Sequence, residues 1–381
     1  MPELQEVFRM ATQKIRPDEG ALERQHQEQR RRTVRRRAAV YGLVAAMVAV
    51  VVGVALVVAR PEASQTINSV TPPPASASAT INTTPPVGMQ IVDLNGQASS
   101  QIPGISGSSY APDLSKDGSK IVFSTYTEAS PYHAQIATIN ADGSGFRVLT
   151  NGQDDADYAR WSPDGTKIAY VTLDANSLQH IFVMDADGSN VVQLTTGNGY
   201  DNAPAWSPDG TQIAFQRGSD ASQLDYTTHD EDIWVVPSDG TGEARRLIAE
   251  PDSQMQPDWS PDGRWLAFGD DTSLSVVKVS DPSRVYHLNN LPGGPGRFMP
   301  RWSPNGKRIA FLDCCVGHIT RVQFPNGLGT TRDAPLLKVY VASMSGPTTL
   351  STSRYLGVTF AGDGSGISWS GDNHLLINRY S

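Results

Sequence analysis

Trp161-Ser-Pro-Asp-Gly165 recurs as Trp206-Ser-Pro-Asp-Gly210, Trp259-Ser-Pro-Asp-Gly263 and Trp302-Ser-Pro-Asn-Gly306. The tryptophans stand 45, 53 and 43 residues apart, and self-similarity at such a period marks a repeat architecture. Each copy reads as a tight turn. Proline presets φ, Asp164, Asp209 and Asp262 can bond their own backbone, and Gly165, Gly210, Gly263 and Gly306 accept positive φ. Weaker copies at Leu114-Ser-Lys-Asp-Gly118 and Phe360-Ala-Gly-Asp-Gly364 extend the series to six units.

Around each turn the residues alternate as half-buried strands should. In the unit of Trp206, Ala203-Pro-Ala-Trp206 leads into the turn and Gln212-Ile-Ala-Phe215 leaves it. Ile233-Trp-Val-Val236 is a third strand, Ser238-Asp-Gly240 a second turn, and Ala244-Arg-Arg-Leu-Ile248 a fourth strand. The second turn recurs at Ala141-Asp-Gly143, Ala186-Asp-Gly188 and Leu94-Asn-Gly96. Four antiparallel strands at a period of roughly 40–50 residues make a propeller blade. The fold expected is all-β: a six-bladed β-propeller of four-stranded antiparallel blades, with Trp161, Trp206, Trp259 and Trp302 as wedges between blades.

The same residues resemble the TolB-like propeller family, whose repeats carry the WSPDG turn, an I-A-F strand and a V-M-x-A-D-G turn. Ile181-Phe-Val-Met-Asp-Ala-Asp-Gly188 is similar to that last element. The resemblance covers residues 88–381 and implies closure by pairing the chain ends within one blade. Met89–Asp93 and Ser99–Ile102 read as its outer strands, Val358–Phe360 and Ile367–Ser370 as its inner ones. One strand is then surplus, since residues 374–380 also read as β. The family's best-known members are periplasmic and bind partner lipoproteins, although they are usually exported by a cleaved signal.

Residues 38–59 contain no charge and are long enough to span a bilayer as a helix, for which about 20 residues suffice. They follow Arg30-Arg-Arg-Thr-Val-Arg-Arg-Arg37, with only Arg60 close on the far side. The positive-inside rule then places residues 1–37 in the cytoplasm and the propeller outside the cytoplasmic membrane, as a single-pass protein. Residues 60–87, dense in Pro, Ser, Thr and Ala, read as an extended extracytoplasmic linker. The first 37 residues carry a net +4 and the remainder −12, for a total of −8. That asymmetry suits a basic stub beside anionic lipid, and a helical face of Leu4, Val7, Phe8, Ala11 and Ile15 offers a cytosolic protein a docking surface.

Function is less legible. In a propeller, the second-to-third strand loops and the blade-to-blade connections share one face. Here that face gathers Asp154, Asp155, Asp157, Tyr200, Asp201, Asp225, Tyr226, His229, Asp230, Asp232, Asp270 and Asp271. Such an acidic, tyrosine-dotted rim repels nucleic acid and attracts a basic protein surface or cations. Carboxylates in clusters suit Ca2+, but the Asp-x-Asp spacing with its required glycine is missing, and His133, His180, His229 and His318 stand in separate loops. No cofactor or resident metal is expected. Cys314-Cys315 opens an insertion at residues 312–335, expected to overhang the loop face; the pair is read either as a vicinal disulfide or as free thiols. No Gly-x-Ser-x-Gly elbow occurs, and no catalytic role is assigned. The expected function is a membrane-anchored propeller that binds a protein or cell-envelope component, as a scaffold or envelope sensor. The alternative is a metal-dependent or carbohydrate-active propeller enzyme using the acidic rim.

Overall fold

The repeated pentapeptide folds as it does because its serine, aspartate and glycine polar atoms bond one another and the strand that follows. In the copy at Trp161, the Ser162 hydroxyl donates to Asp164 Oδ1 at 2.6 Å and accepts the Lys167 N–H at 2.9 Å. Thr166 N donates to the same carboxylate, and Gly165, at φ 72°, returns its N–H to the Ser162 carbonyl. The copies at Ser115, Ser207, Ser260 and Ser303 repeat the first bond, from the serine hydroxyl to the side-chain oxygen two residues on.

This computed structural model describes residues 88–105, 109–150, 155–218, 231–248, 250, 253–270, 273–288, 297–322, 332–361 and 366–379. The expected cytosolic segment, membrane span and linker (residues 1–87) lie outside the described residues. Among the described residues no helix is long and apolar enough to cross a membrane.

Among the described residues, 24 strands fall into six antiparallel four-stranded sheets. The first of these strands are β1 (Gly88–Asp93) and β2 (Ala98–Gln101). Blade 1 follows as β3 (Ser109–Leu114), β4 (Lys120–Thr127), β5 (Ser130–Asn140) and β6 (Arg147–Val148). Blade 2 is β7 (Ala156–Trp161), β8 (Lys167–Leu173), β9 (Gln179–Asp185) and β10 (Val192–Gln193). Blade 3 is β11 (Tyr200–Trp206), β12 (Gln212–Gly218), β13 (Asp232–Pro237) and β14 (Arg245–Arg246). Blade 4 is β15 (Met255–Trp259), β16 (Trp265–Gly269), β17 (Leu274–Lys278) and β18 (Asp281–Leu288). Blade 5 is β19 (Arg297–Trp302), β20 (Arg308–Val322), β21 (Arg332–Gly346) and β22 (Thr349–Ala361). Blade 6 joins β23 (Ile367–Ser370) and β24 (His374–Arg379) to the two first strands, in the order β2-β1-β24-β23.

Blade 6 corrects the sequence expectation at one strand. Val358–Phe360 belongs to β22, the outermost strand of blade 5, where Phe360 pairs with Leu337. The inner strand of blade 6 is β23 alone, and its turn follows Trp369 as Ser370-Gly-Asp-Asn373, with Gly371 at φ 68°. The surplus strand is thereby placed: β24 is second and β1 third, with Gln90 opposite Ile377. The insertion at 312–335 extends β20 and β21, since Ile319 to Val322 pair with Pro335 to Arg332. Residues 323–330 and the thiol groups of Cys314 and Cys315 lie outside what is described.

Each blade junction holds one apolar cluster. Trp161 packs with Val122 and Ile136 of blade 1, Trp259 with Ala214 and Val235 of blade 3, and Trp302 with Ala267 and Val276 of blade 4. Trp369 packs with Leu312 and Val339 of blade 5, while Leu114 takes the corresponding place at the junction of blades 6 and 1. Three indoles also bond a backbone carbonyl of the preceding inner strand: Trp206 to Arg160, Trp259 to Ala205 and Trp369 to Arg301. The inner strands β3, β7, β11, β15, β19 and β23 neighbour one another in a closed ring around the central channel. Each of the first five carries a bulge three residues before the wedge position. There Ala111, Tyr158, Ala203, Gln256 and Met299 adopt φ of 49–54°.

Candidate functional site

Each inner strand starts on the loop face, and its bulge sets the residue just before it against the neighbouring blade. In blade 2 this places Asp157, whose Oδ1 accepts the Ser124 hydroxyl at 2.7 Å and the Tyr158 N–H at 2.6 Å. Burial pushes its carboxyl up to about 6, against those hydrogen bonds and the nearby Tyr110 hydroxyl, which favour the ionised form. The Tyr110 and Tyr126 rings lie 6.1 Å apart, and burial raises both hydroxyls. Above them Asp155 caps the Ala134 N–H at 2.7 Å and stands 3.8 Å from His133. The Asp155 and His133 side chains are 58% and 47% exposed, and Tyr126 is 39% exposed. Blades 1 and 2 therefore present a solvent-facing Tyr-His-Asp patch over a buried Tyr-Asp floor.

The other described carboxylates of the rim, Asp201, Glu231, Asp232 and Asp270, are committed to partners. Asp201, fully buried, accepts Arg217 Nε at 2.5 Å and Nη2 at 2.7 Å and touches His180 Nδ1 at 2.9 Å. Arg217 in turn stacks on the Phe215 and Trp234 rings. The Tyr200 hydroxyl donates to Glu231 Oε1 at 2.5 Å, and Ser253 supplies the other Glu231 oxygen at 2.7 Å. Asp232 pairs with Arg246 at 2.7 Å. Asp270 takes the Ser273 hydroxyl at 2.5 Å and the Ser275 hydroxyl at 3.0 Å. His287 Nδ1 lies 2.9 Å from the Ser275 hydroxyl and 3.7 Å from Asp270. That is no relay for nucleophilic attack. One ring nitrogen faces both groups, whereas an activated serine needs the base between itself and the carboxylate. Ser275 is, besides, fully buried.

Asp154, Asp225, Tyr226, His229, Asp230 and Asp271 lie outside the described residues. Among the described residues, no three His, Cys, Asp or Glu side chains converge as a metal site would require. The structure brings Asp155 and Asp157 together, and holds Tyr200, Asp201, Asp232 and Asp270 in separate hydrogen-bonded sets. Sequence reasoning passed over Tyr110, Tyr126 and Tyr158. Their signal was positional: Tyr110 and Asp157 both stand four residues before the wedge.

Comparison with known proteins agrees with this architecture. Residues 78–224 match the TolB beta propeller domain family. A solved structure from Agrobacterium tumefaciens assigned to TolB superposes with a TM-score of 0.59 at 19% identity, over 77% of this chain and 98% of that one. TolB from Acinetobacter baumannii gives 0.51 at 17%, over 69% and 64%. No curated protein matches the sequence. At such identities the likeness establishes the fold alone: a six-bladed β-propeller.

Proposed function

We propose that this TolB-type propeller is an extracytoplasmic binding module, tethered by residues 38–59, that receives a protein or cell-envelope component on the loop face of blades 1 and 2. One observation carries the choice of surface: Tyr126, His133 and Asp155 are exposed together there, while Asp201, Asp232 and Asp270 are held in internal pairs. Exposed tyrosine beside ionisable groups on a rigid sheet suits recognition, because a large ring is buried at low entropic cost. The paired carboxylates hold the face in shape, and removing their charge would disturb the scaffold before the ligand. The basic stub at residues 1–37 lies across the membrane in this reading, where it meets the inner leaflet or a cytosolic partner.

Affinity capture from native membranes with the full chain tests this. Tyr126→Ala together with Asp155→Asn is expected to abolish recovery of a specific partner while the melting temperature stays unchanged. Undiminished recovery with that double variant would move the surface elsewhere. Recovery of a bound cation or glycan in place of a protein would favour the enzymatic alternative.

A further inference from the structure

The residue immediately before the wedge position is Asp113, Arg160, Ala205, Asp258, Arg301 and Ser368 in blades 1 to 6. Read around the channel, this column is Asp-Arg-Ala followed by Asp-Arg-Ser, two half-rings of one pattern. The first half-ring is complete. Asp113 accepts Arg160 Nη1 at 3.0 Å, the Trp161 N–H at 3.0 Å and the Ser368 hydroxyl at 3.1 Å, and so bridges blades 2 and 6. In the second, Asp258 Oδ2 takes the equivalent Trp302 N–H at 2.7 Å, but no ion pair joins it to Arg301. Arg301 folds Nη1 onto the neighbouring Pro300 carbonyl at 2.7 Å. Its Nε finds no acceptor among the described residues, although the residue is only 8% exposed.

A buried guanidinium without a counter-charge is unfavourable, and its planar fork is matched best by a carboxylate or another oxyanion. We propose that the second half-ring of the channel binds a compact carboxylate on the free Nε edge of Arg301, beside Asp258, which stays on the Trp302 N–H. This site is separate from the loop-face patch and does not depend on it. The charged groups that share its column around the ring are Asp113, Arg160 and Asp258. Asp113 is already neutralised by Arg160. The Asp258 carboxyl is pushed up to about 7, chiefly by burial and in part by Asp113, against the Trp302 N–H and Arg160. Below that pH it is neutral and admits a second carboxylate; above it, it is charged and repels one. A free small carboxylate and an acidic side chain carried by a partner share this chemistry.

Calorimetric titration of the full chain in detergent tests the site, using sodium acetate against sodium chloride at equal ionic strength, at pH 6 and pH 8. A second arm replaces acetate with the peptide acetyl-Gly-Glu-Gly-amide. Acetate is expected to bind at pH 6, with affinity falling at pH 8. Arg301→Gln is expected to weaken binding by at least about tenfold, the loss of one charge-assisted hydrogen bond, while Arg301→Lys retains part of it. Binding of the peptide as well would identify a protein side chain as a ligand; binding of acetate alone would identify a small molecule. Heats no different from chloride, or equal binding by wild type and Arg301→Gln, would overturn the proposal. If Arg301→Gln does not fold, the acetate-against-chloride comparison on the wild type decides it.

Discussion

Two kinds of residue do different work in this propeller, and substitution should separate them. Trp259 is 8% exposed in the junction of blades 3 and 4 and bonds the Ala205 carbonyl at 3.2 Å. Trp259→Ala is expected to cost about 3–5 kcal/mol by denaturant unfolding, as large core truncations do. Tyr126→Ala, at an exposed position, should stay within about 0.5 kcal/mol. Asp258 gives a pH-dependent case. Its folded pKa of about 7 exceeds the ordinary value of 3.8, so the protonated form is favoured by folding. The stability this contributes is full below about pH 4 and is lost as pH rises through 7. Asp258→Asn, which still offers an oxygen to the Trp302 N–H, should match the wild type near pH 4 and exceed it at pH 8, by up to about 4 kcal/mol. Melting curves at the two pH values check the sign. The turn aspartates behave oppositely. Hydrogen bonds from Ser115, Ser162 and Ser207 hold Asp117, Asp164 and Asp209 below the usual carboxylate range. Their contribution is therefore present above about pH 4 and lost in acid.

At the level of strands, the closing blade packs closely against blade 1. Gly366 stands three residues before Trp369, the place of the positive-φ bulge residue in the other five inner strands. A Cβ there would lie 2.7 Å from Ala111 Cα and 2.9 Å from Pro112 Cδ of blade 1. Gly366→Ala is expected to destabilise by about 1–3 kcal/mol, with blade 6 the first to become protease-sensitive. The same blade shows where sequence reading succeeds and where it fails. The serine-aspartate turn with its wedge has a local mechanism, so blades 1 to 5 were legible from one pentapeptide. Trp369 is the fifth tryptophan of the series, but the long hairpin of blade 5 sets it 67 residues beyond Trp302 and hides the period. The nearby Phe360-Ala-Gly-Asp-Gly364 then imitates the missing turn. The site was legible as acidic and illegible as paired. Asp201 and Arg217 are cross-strand partners in β11 and β12, and their ion pair follows from a register that composition does not reveal. The channel column of Asp113, Arg160, Asp258 and Arg301 was visible in the repeat alignment, one residue before each wedge, and went unread.

At the largest scale, the described strands form a ring closed by the pairing of β1 with β24, with stereotyped first-to-second and third-to-fourth strand turns. Pairing of β1 with β24 leaves no open gap at which the ring could splay, so loop-face residues of separate blades keep fixed positions. That rigidity is what a recognition surface requires. The described rim presents less negative charge than its carboxylates alone would carry, because Asp201 and Asp232 are neutralised by arginines. The proposed recognition surface lies over blades 1 and 2, where tyrosine, histidine and aspartate reach solvent together. The most direct test places a photo-crosslinking amino acid at position 126 on the loop face and, separately, at position 187 in the β9–β10 turn on the opposite face. Both variants of the full chain are irradiated in native membranes. A discrete adduct from position 126 and none from position 187 is the predicted result. Adducts from position 187 alone, or none from either position, would contradict the assignment of the loop face as the binding surface.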